Sequence, residues 1–175
     1  MGTICHELTH IHDYIDFAYE YCNGNLELIN SHELQSIFFF WTEFHARCLG
    51  YLFYRTMVYA LNNVTISKEA QLEHIKTTEY QLHYKTLYDD IWKAHRNHNN
   101  TYYLYSIVNY LGRVSAWGII FKDDLELDNF IPDYLVDQYG DRIYNLFHLL
   151  QSMKNFDLVK DKLKVLEQII SSFNK

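Results

Sequence analysis

The chain has 175 residues with 22 acidic side chains against 15 Lys and Arg, a net charge of −7. That length suits one domain with a sizeable core, and 49% hydrophobic residues with a single proline exclude an intrinsically disordered chain. The acidic balance repels a phosphate backbone, and the basic residues gather only modestly, at Lys160, Lys162 and Lys164, so nucleic acid is excluded as the expected partner.

Apolar residues recur at helical spacing almost throughout. The expectation is an all-α fold, a single domain over residues 1–175, built as a helical bundle of six or seven helices. In the first segment Ile4, Leu8, Ile11, Ile15, Ala18 and Cys22 recur every three or four residues, and Asn23-Gly24-Asn25 ends the run. Ser31 is a candidate cap for a second helix through Ile37, Phe38, Trp41, Phe44 and Leu52 toward Leu61, with Gly50 as a point of bending. Ser67 suits the cap of a third, reaching Arg96. Its apolar face drifts from Leu72, Ile75 and Leu82 to Tyr84, Leu87, Tyr88, Ile91 and Trp92, as for one helix meeting two neighbours in turn. A fourth helix begins near Thr101 with the stripe Leu104, Ile107, Val108, Leu111 and Val114, and its small residues Gly112, Ser115, Ala116 and Gly118 allow close contact. An acidic connection follows, then helices starting at Pro132 and Asp141 around Gly140. The last segment places Val159, Leu163, Leu166, Ile170 and Phe173 on one face and its charges on the other.

The opening residues lack a basic stretch followed by an apolar one, so they do not read as a secretory leader. The most apolar run, residues 37–54, carries Glu43, His45 and Arg47, too much charge for a bilayer. A cytoplasmic protein with no membrane partner is expected. Cys5, Cys22 and Cys48 show no paired spacing and read as small apolar packers.

One stretch carries a chemical pattern. His6-Glu7-Leu8-Thr9-His10 satisfies H-E-x-x-H, in which two histidines one helical turn apart hold zinc and the intervening glutamate serves as base. At 100° per residue, however, the apolar stripe of this helix centres on Ile4, Leu8, Ile11 and Ile15, and His6 and His10 project to the opposite side with Asp13 and Phe17. The histidines are therefore expected to face solvent. His6, His10 and Asp13 stand as a candidate metal set completed by another element, with zinc the candidate cofactor. The favoured expectation is a solvated face, with no cofactor and no catalytic residue. Cys48 near His45 reads as packing, not as a nucleophile with its base.

With no other catalytic constellation, the leading expectation is a non-catalytic, protein-binding or regulatory protein, of which an inhibitor covering a partner's basic surface is one form. Its partner is another protein, with a homo-oligomer through the C-terminal helix as a further candidate. The contact candidates are Tyr102, Tyr103 and Tyr105, an aromatic set suited to interfaces, and the acidic residues Asp123, Asp124 and Glu126. The alternative is a metal-dependent hydrolase using residues 6–10.

Two stretches carry resemblances. Residues 107–121, IVNYLGRVSAWGIIF, and 132–147, PDYLVDQYGDRIYNLF, resemble the first and second homology motifs of Bcl-2 proteins, which implies a helix-binding function as a second alternative. The connection FKDDLELDNFI is too short for the helical hairpin that fold places between its motifs. Residues 101–153 also resemble short, uncharacterised, mainly bacterial helical proteins carrying a domain of unknown function, through Asn109, Ala116, Gly118, Asp123-Asp124 and Tyr139-Gly140. That resemblance implies a helical fold and assigns no catalytic residue.

Overall fold

The computed structural model describes residues 2–62 and 66–173, apart from the side chains of Tyr59, Asn62 and Asp123. The described residues form nine α-helices and no strand: α1 (Gly2–Tyr21), α2 (Gln35–Asn62), α3 (Lys68–His74), α4 (Tyr80–Arg96), α5 (Asn100–Phe121), α6 (Asp133–Tyr139), α7 (Asp141–Ser152), α8 (Phe156–Lys160) and α9 (Leu163–Ser172). The all-α bundle is as expected. The count exceeds seven because two expected rods are each divided. A π-helical turn, Ile75–Glu79, separates α3 from α4. Its extra residue rotates the apolar face, which is the structural basis of the drifting stripe. The second break lies at Asp161 and Lys162, between α8 and α9.

Capping follows the local chemistry. The Ser67 hydroxyl accepts from the Ala70 amide at 3.2 Å, and Asn99 and Asn155 cap α5 and α8 in the same way. Ser31 does not cap α2. It closes a 3-10 turn, Leu26–Ser31, donating to the Leu28 carbonyl, and α2 begins at Gln35. Gly140, at φ +54°, turns the chain from α6 into α7, a conformation that costs a residue with a Cβ more.

α5 is the central rod and packs chiefly on α2. Ile107, Leu111, Val114 and Trp117 are fully buried, in the same apolar core as Phe38, Trp41 and Phe44 of α2. The two backbones meet at Gly112, where an added Cβ would lie 2.6 Å from the Phe44 carbonyl oxygen and 3.0 Å from Arg47 Cβ. On the other side of α2, Gly50 permits the approach of α1: its Cβ would lie 3.0 Å from the Gly2 carbonyl oxygen. Close approach, not bending, is what Gly50 supplies. Leu163, Leu166 and Ile170 of α9 close the core against α7 and α2. Because Leu166 is fully buried within the monomer, the α9 face expected to drive self-assembly is already used inside the chain.

α1 reverses the expected amphipathic orientation. Ile4, Leu8 and Ile11 are 64%, 59% and 56% exposed, and Ile15 and Tyr19 are exposed as well. His6, Thr9, Asp13 and Phe17 are buried against α2. The polar residues turn inward because α2 presents polar partners to them. No helix among the described residues is long and apolar enough to cross a membrane.

Candidate metal centre and the cavity beside it

The polar partners on α2 are Thr42, Glu43 and His45, set within an otherwise aromatic run. His6 and His10, one turn apart on α1, bring their Nε2 atoms to 3.1 Å from each other. The Glu43 carboxylate faces both: Oε1 lies 3.3 Å from His10 Nε2 and Oε2 3.8 Å from His6 Nε2. One ligand atom from each of the three lies within 4.8 Å of the others. Two imidazole nitrogens on a tetrahedral zinc, at bond lengths near 2.1 Å, stand about 3.4 Å apart. The donors are thus close to the separation a metal requires, and all three belong to a set that a zinc-class ion accepts.

The surrounding hydrogen bonds fix how the donors point. The Thr42 hydroxyl donates its single proton to Asp13 Oδ2 at 2.7 Å. Towards His10 Nδ1, at 2.9 Å, it can therefore only accept. His10 thus carries a proton on Nδ1, and its Nε2 is left to face Glu43 and His6. Asp13 also accepts from His45 Nδ1 at 3.0 Å. Burial, then the charges of Arg47 and His10, lower the His6 pKa against the pull of Glu43, which favours the neutral ring a metal needs. Burial raises the pKa of Glu43, but the hydrogen bond and charge of His10 and the charge of His6 outweigh it, and the net direction is down. Asn109 completes the arrangement: its amide nitrogen donates to Glu43 Oε2 at 3.4 Å and to the Tyr105 carbonyl at 3.0 Å, and its oxygen accepts from Arg47 Nε at 2.7 Å.

The expectation that His6 and His10 face solvent is therefore overturned. The expected trio is also rearranged: Asp13 orients His10 through Thr42, and Glu43, not Asp13, is the third candidate donor beside the two histidines. Glu43 was not among the candidates. The available signal was a polar island, Thr42-Glu43-Phe44-His45, inside an otherwise apolar and aromatic run, since buried charges demand partners.

A cavity of 1080 Å³ opens beside His6, between α1, α2, α3, α4 and α5. Glu7 lies at its exposed rim. Arg47, Arg113, His83, Tyr51 and Tyr105 line it as well. The π-helical turn carries Glu79 to its wall, where Arg55 donates to it at 2.9 Å and the Tyr51 hydroxyl also donates. Trp117 Nε1 in turn donates to the Tyr51 oxygen at 3.1 Å.

The other candidates resolve differently. Tyr103 is buried, with its hydroxyl donating to Gln138 at 3.0 Å, so the expected tyrosine surface is not one patch. Tyr102 and Tyr105 are half-buried and stacked on each other, their ring centroids 6.0 Å apart. Asp124 is paired with Lys68, Glu126 accepts from Asn129 within its own loop, and the Asp123 side chain lies outside the described residues. Cys48 is buried with its thiol pushed up to about 11, while His45 is turned to Asp13, so the two do not form a reactive pair. Comparison with protein families, with curated proteins and with solved structures finds no match for this chain.

Proposed function

We propose that the protein is a metal-dependent hydrolase in which His6, His10 and Glu43 hold a zinc-class ion. The observation that supports this reading is the convergence of two imidazole Nε2 atoms and one carboxylate, with His10 and Glu43 oriented by further hydrogen bonds, beside a large cavity. Three protein ligands leave a coordination position for water, and such a site supplies a nucleophile at neutral pH. Glu7 follows His6 on the same turn and lines the cavity, which supports the role its carboxylate would have as the general base. The test is zinc titration by calorimetry with elemental analysis of the loaded protein. One zinc per chain is expected, lost in His10→Ala and Glu43→Gln and kept in Glu7→Gln, which loses hydrolysis. A chain that takes up no zinc, or one whose His10→Ala variant binds it equally, overturns the reading.

A second reading, protein docking, draws on the outward face of α1. Its stripe of Ile4, Leu8, Ile11 and Ile15 is flanked by Glu7, Asp16 and Glu20, and the helix has no Lys or Arg. The fitting partner is an amphipathic helix with basic flanks. A synthetic Leu/Lys helical peptide is expected to bind one to one and to lose binding on Ile11→Asp. Equal binding of a Leu/Glu peptide would refute it.

A further inference from the structure

The cavity holds an anion site distinct from the metal ligands. We propose that Arg47 and Arg113 form a receptor for a phosphate monoester, the charged end of the ligand that occupies this cavity. The inference names the substrate class for the proposed hydrolase, but the site itself is built from residues that do not ligate the metal.

Arg47 comes from α2 and Arg113 from α5, and both line the cavity and a second hollow of 220 Å³ behind it. Both side chains are half-buried, and the two charges act on each other. Among the described residues no carboxylate lies within ion-pairing distance of either guanidinium. The other charges of the cavity are accounted for. Glu79 is held by Arg55 at 2.9 Å, with His74 Nε2 at 3.6 Å, Glu7 sits at the rim, and Asp90, which lines the second hollow and attracts Arg113, is paired with Lys93 at 3.3 Å. Within a chain of net charge −7, the cavity floor is therefore locally cationic.

Neutral groups orient both guanidinia. Arg47 gives Nε to Asn109 Oδ1 and also bonds the Tyr105 hydroxyl, and its five-donor guanidinium keeps further N–H groups for a ligand. Arg113 Nη1 lies 3.2 Å from His83 Nδ1. His83 is held well below its ordinary value, at about 4, by burial first and then by Arg113 and Arg47, so its ring is neutral and accepts from Arg113. Burial and the neighbouring Arg47 lower the Arg113 pKa to about 10. Two like charges held together away from water are costly unless an opposite charge joins them. A phosphate monoester carries close to two negative charges at neutral pH and three acceptor oxygens, matching two guanidinium forks better than a single carboxylate does. Tyr105, against Arg47, and Tyr51 give the organic part aromatic walls.

The measurement is a calorimetric titration of metal-free protein with phenyl phosphate and, separately, benzoate, in a buffer without phosphate. Phenyl phosphate should bind one to one and at least about tenfold more tightly than benzoate. Arg47→Gln and Arg113→Gln should each weaken it about tenfold or more with the melting curve retained, and Arg113→Gln, which touches no metal ligand, should also keep zinc binding, whereas His10→Ala should lose zinc and keep phenyl phosphate. If either glutamine variant melts early, the lysine variant replaces it; it keeps the charge, removes the fork and should bind at intermediate strength. Absent binding to the wild-type chain, equal affinity for benzoate, or folded arginine variants that bind undiminished each overturn the proposal. Zinc binding without phenyl phosphate binding would remove the anion site and leave the metal centre, and the reverse result would do the opposite.

Discussion

The first and last helices obey opposite rules. α9 turns Leu163, Leu166 and Ile170 inward and its charged residues to water, as its periodicity demands. α1 has an equally clear stripe, yet Ile4, Leu8 and Ile11 face water while His6, His10 and Asp13 lie against α2. The difference lies in what each helix meets. α9 packs on α7, whose buried residues Ile143, Leu146 and Phe147 offer a polar group nothing. α1 meets Thr42, Glu43 and His45, which satisfy its polar face by hydrogen bonds. Amphipathic patterning sets orientation only where the partner surface is apolar. Local patterning that loses to such a network is common at functional positions.

Substitutions that exchange the two rules should sharpen the contrast, and the largest effect belongs to α9. Leu166→Asp places an unpartnered charge in the apolar core and should cost about 4 kcal/mol or more, enough to abolish the cooperative thermal transition. A folded variant with an altered oligomeric state would instead restore α9 as an assembly face. On the polar seam, Asp13→Ala leaves the buried Thr42 hydroxyl and His45 without their acceptor. A loss of about 3 kcal/mol by denaturant unfolding is expected, with weakened zinc uptake, because His10 loses the group that orients it. Gly112→Ala tests the crossing on which both seams depend. Its Cβ meets backbone, so about 2 kcal/mol of destabilisation is expected.

Acidification should distinguish the cavity wall from the α7 and α9 packing. His83 is depressed from 6.5 to about 4, so the unfolded chain binds its proton first. Its contribution is complete above about pH 6.5 and falls away as pH drops toward 4, by about 2 kcal/mol once its partial exposure is allowed for. Melts between pH 7 and 4 should show this slope, and His83→Gln should reduce it. The smallest effect belongs to the outer face of α1. Leu8→Lys should change stability by no more than about 0.5 kcal/mol. A loss of several kcal/mol there would return the stripe to the core and refute the reversed orientation.

Much of the fold was legible in the residues. The stripes of α5, α7 and α9 are continuous and meet apolar neighbours, so period alone placed them. Ser67 and the small residue Gly112 signalled a helix start and a close crossing, and both do so locally. The drifting face of residues 68–96 was visible, although its cause, a π-helical turn, was not. The H-E-x-x-H spacing put His6 and His10 on one face, and that much is a property of any helix. Which way the face turned depended on Glu43, 33 positions beyond His10, and on an α1–α2 approach made possible by Gly50. The arginine pair required α2 and α5 to cross beside each other, and sequence separation conceals that neighbourhood. The sequence determined the helices and the apolar core, because period and burial energy act within a segment. Tertiary structure decided which polar residues converge, because a hydrogen-bonded partner on another helix can outweigh the burial of an apolar stripe.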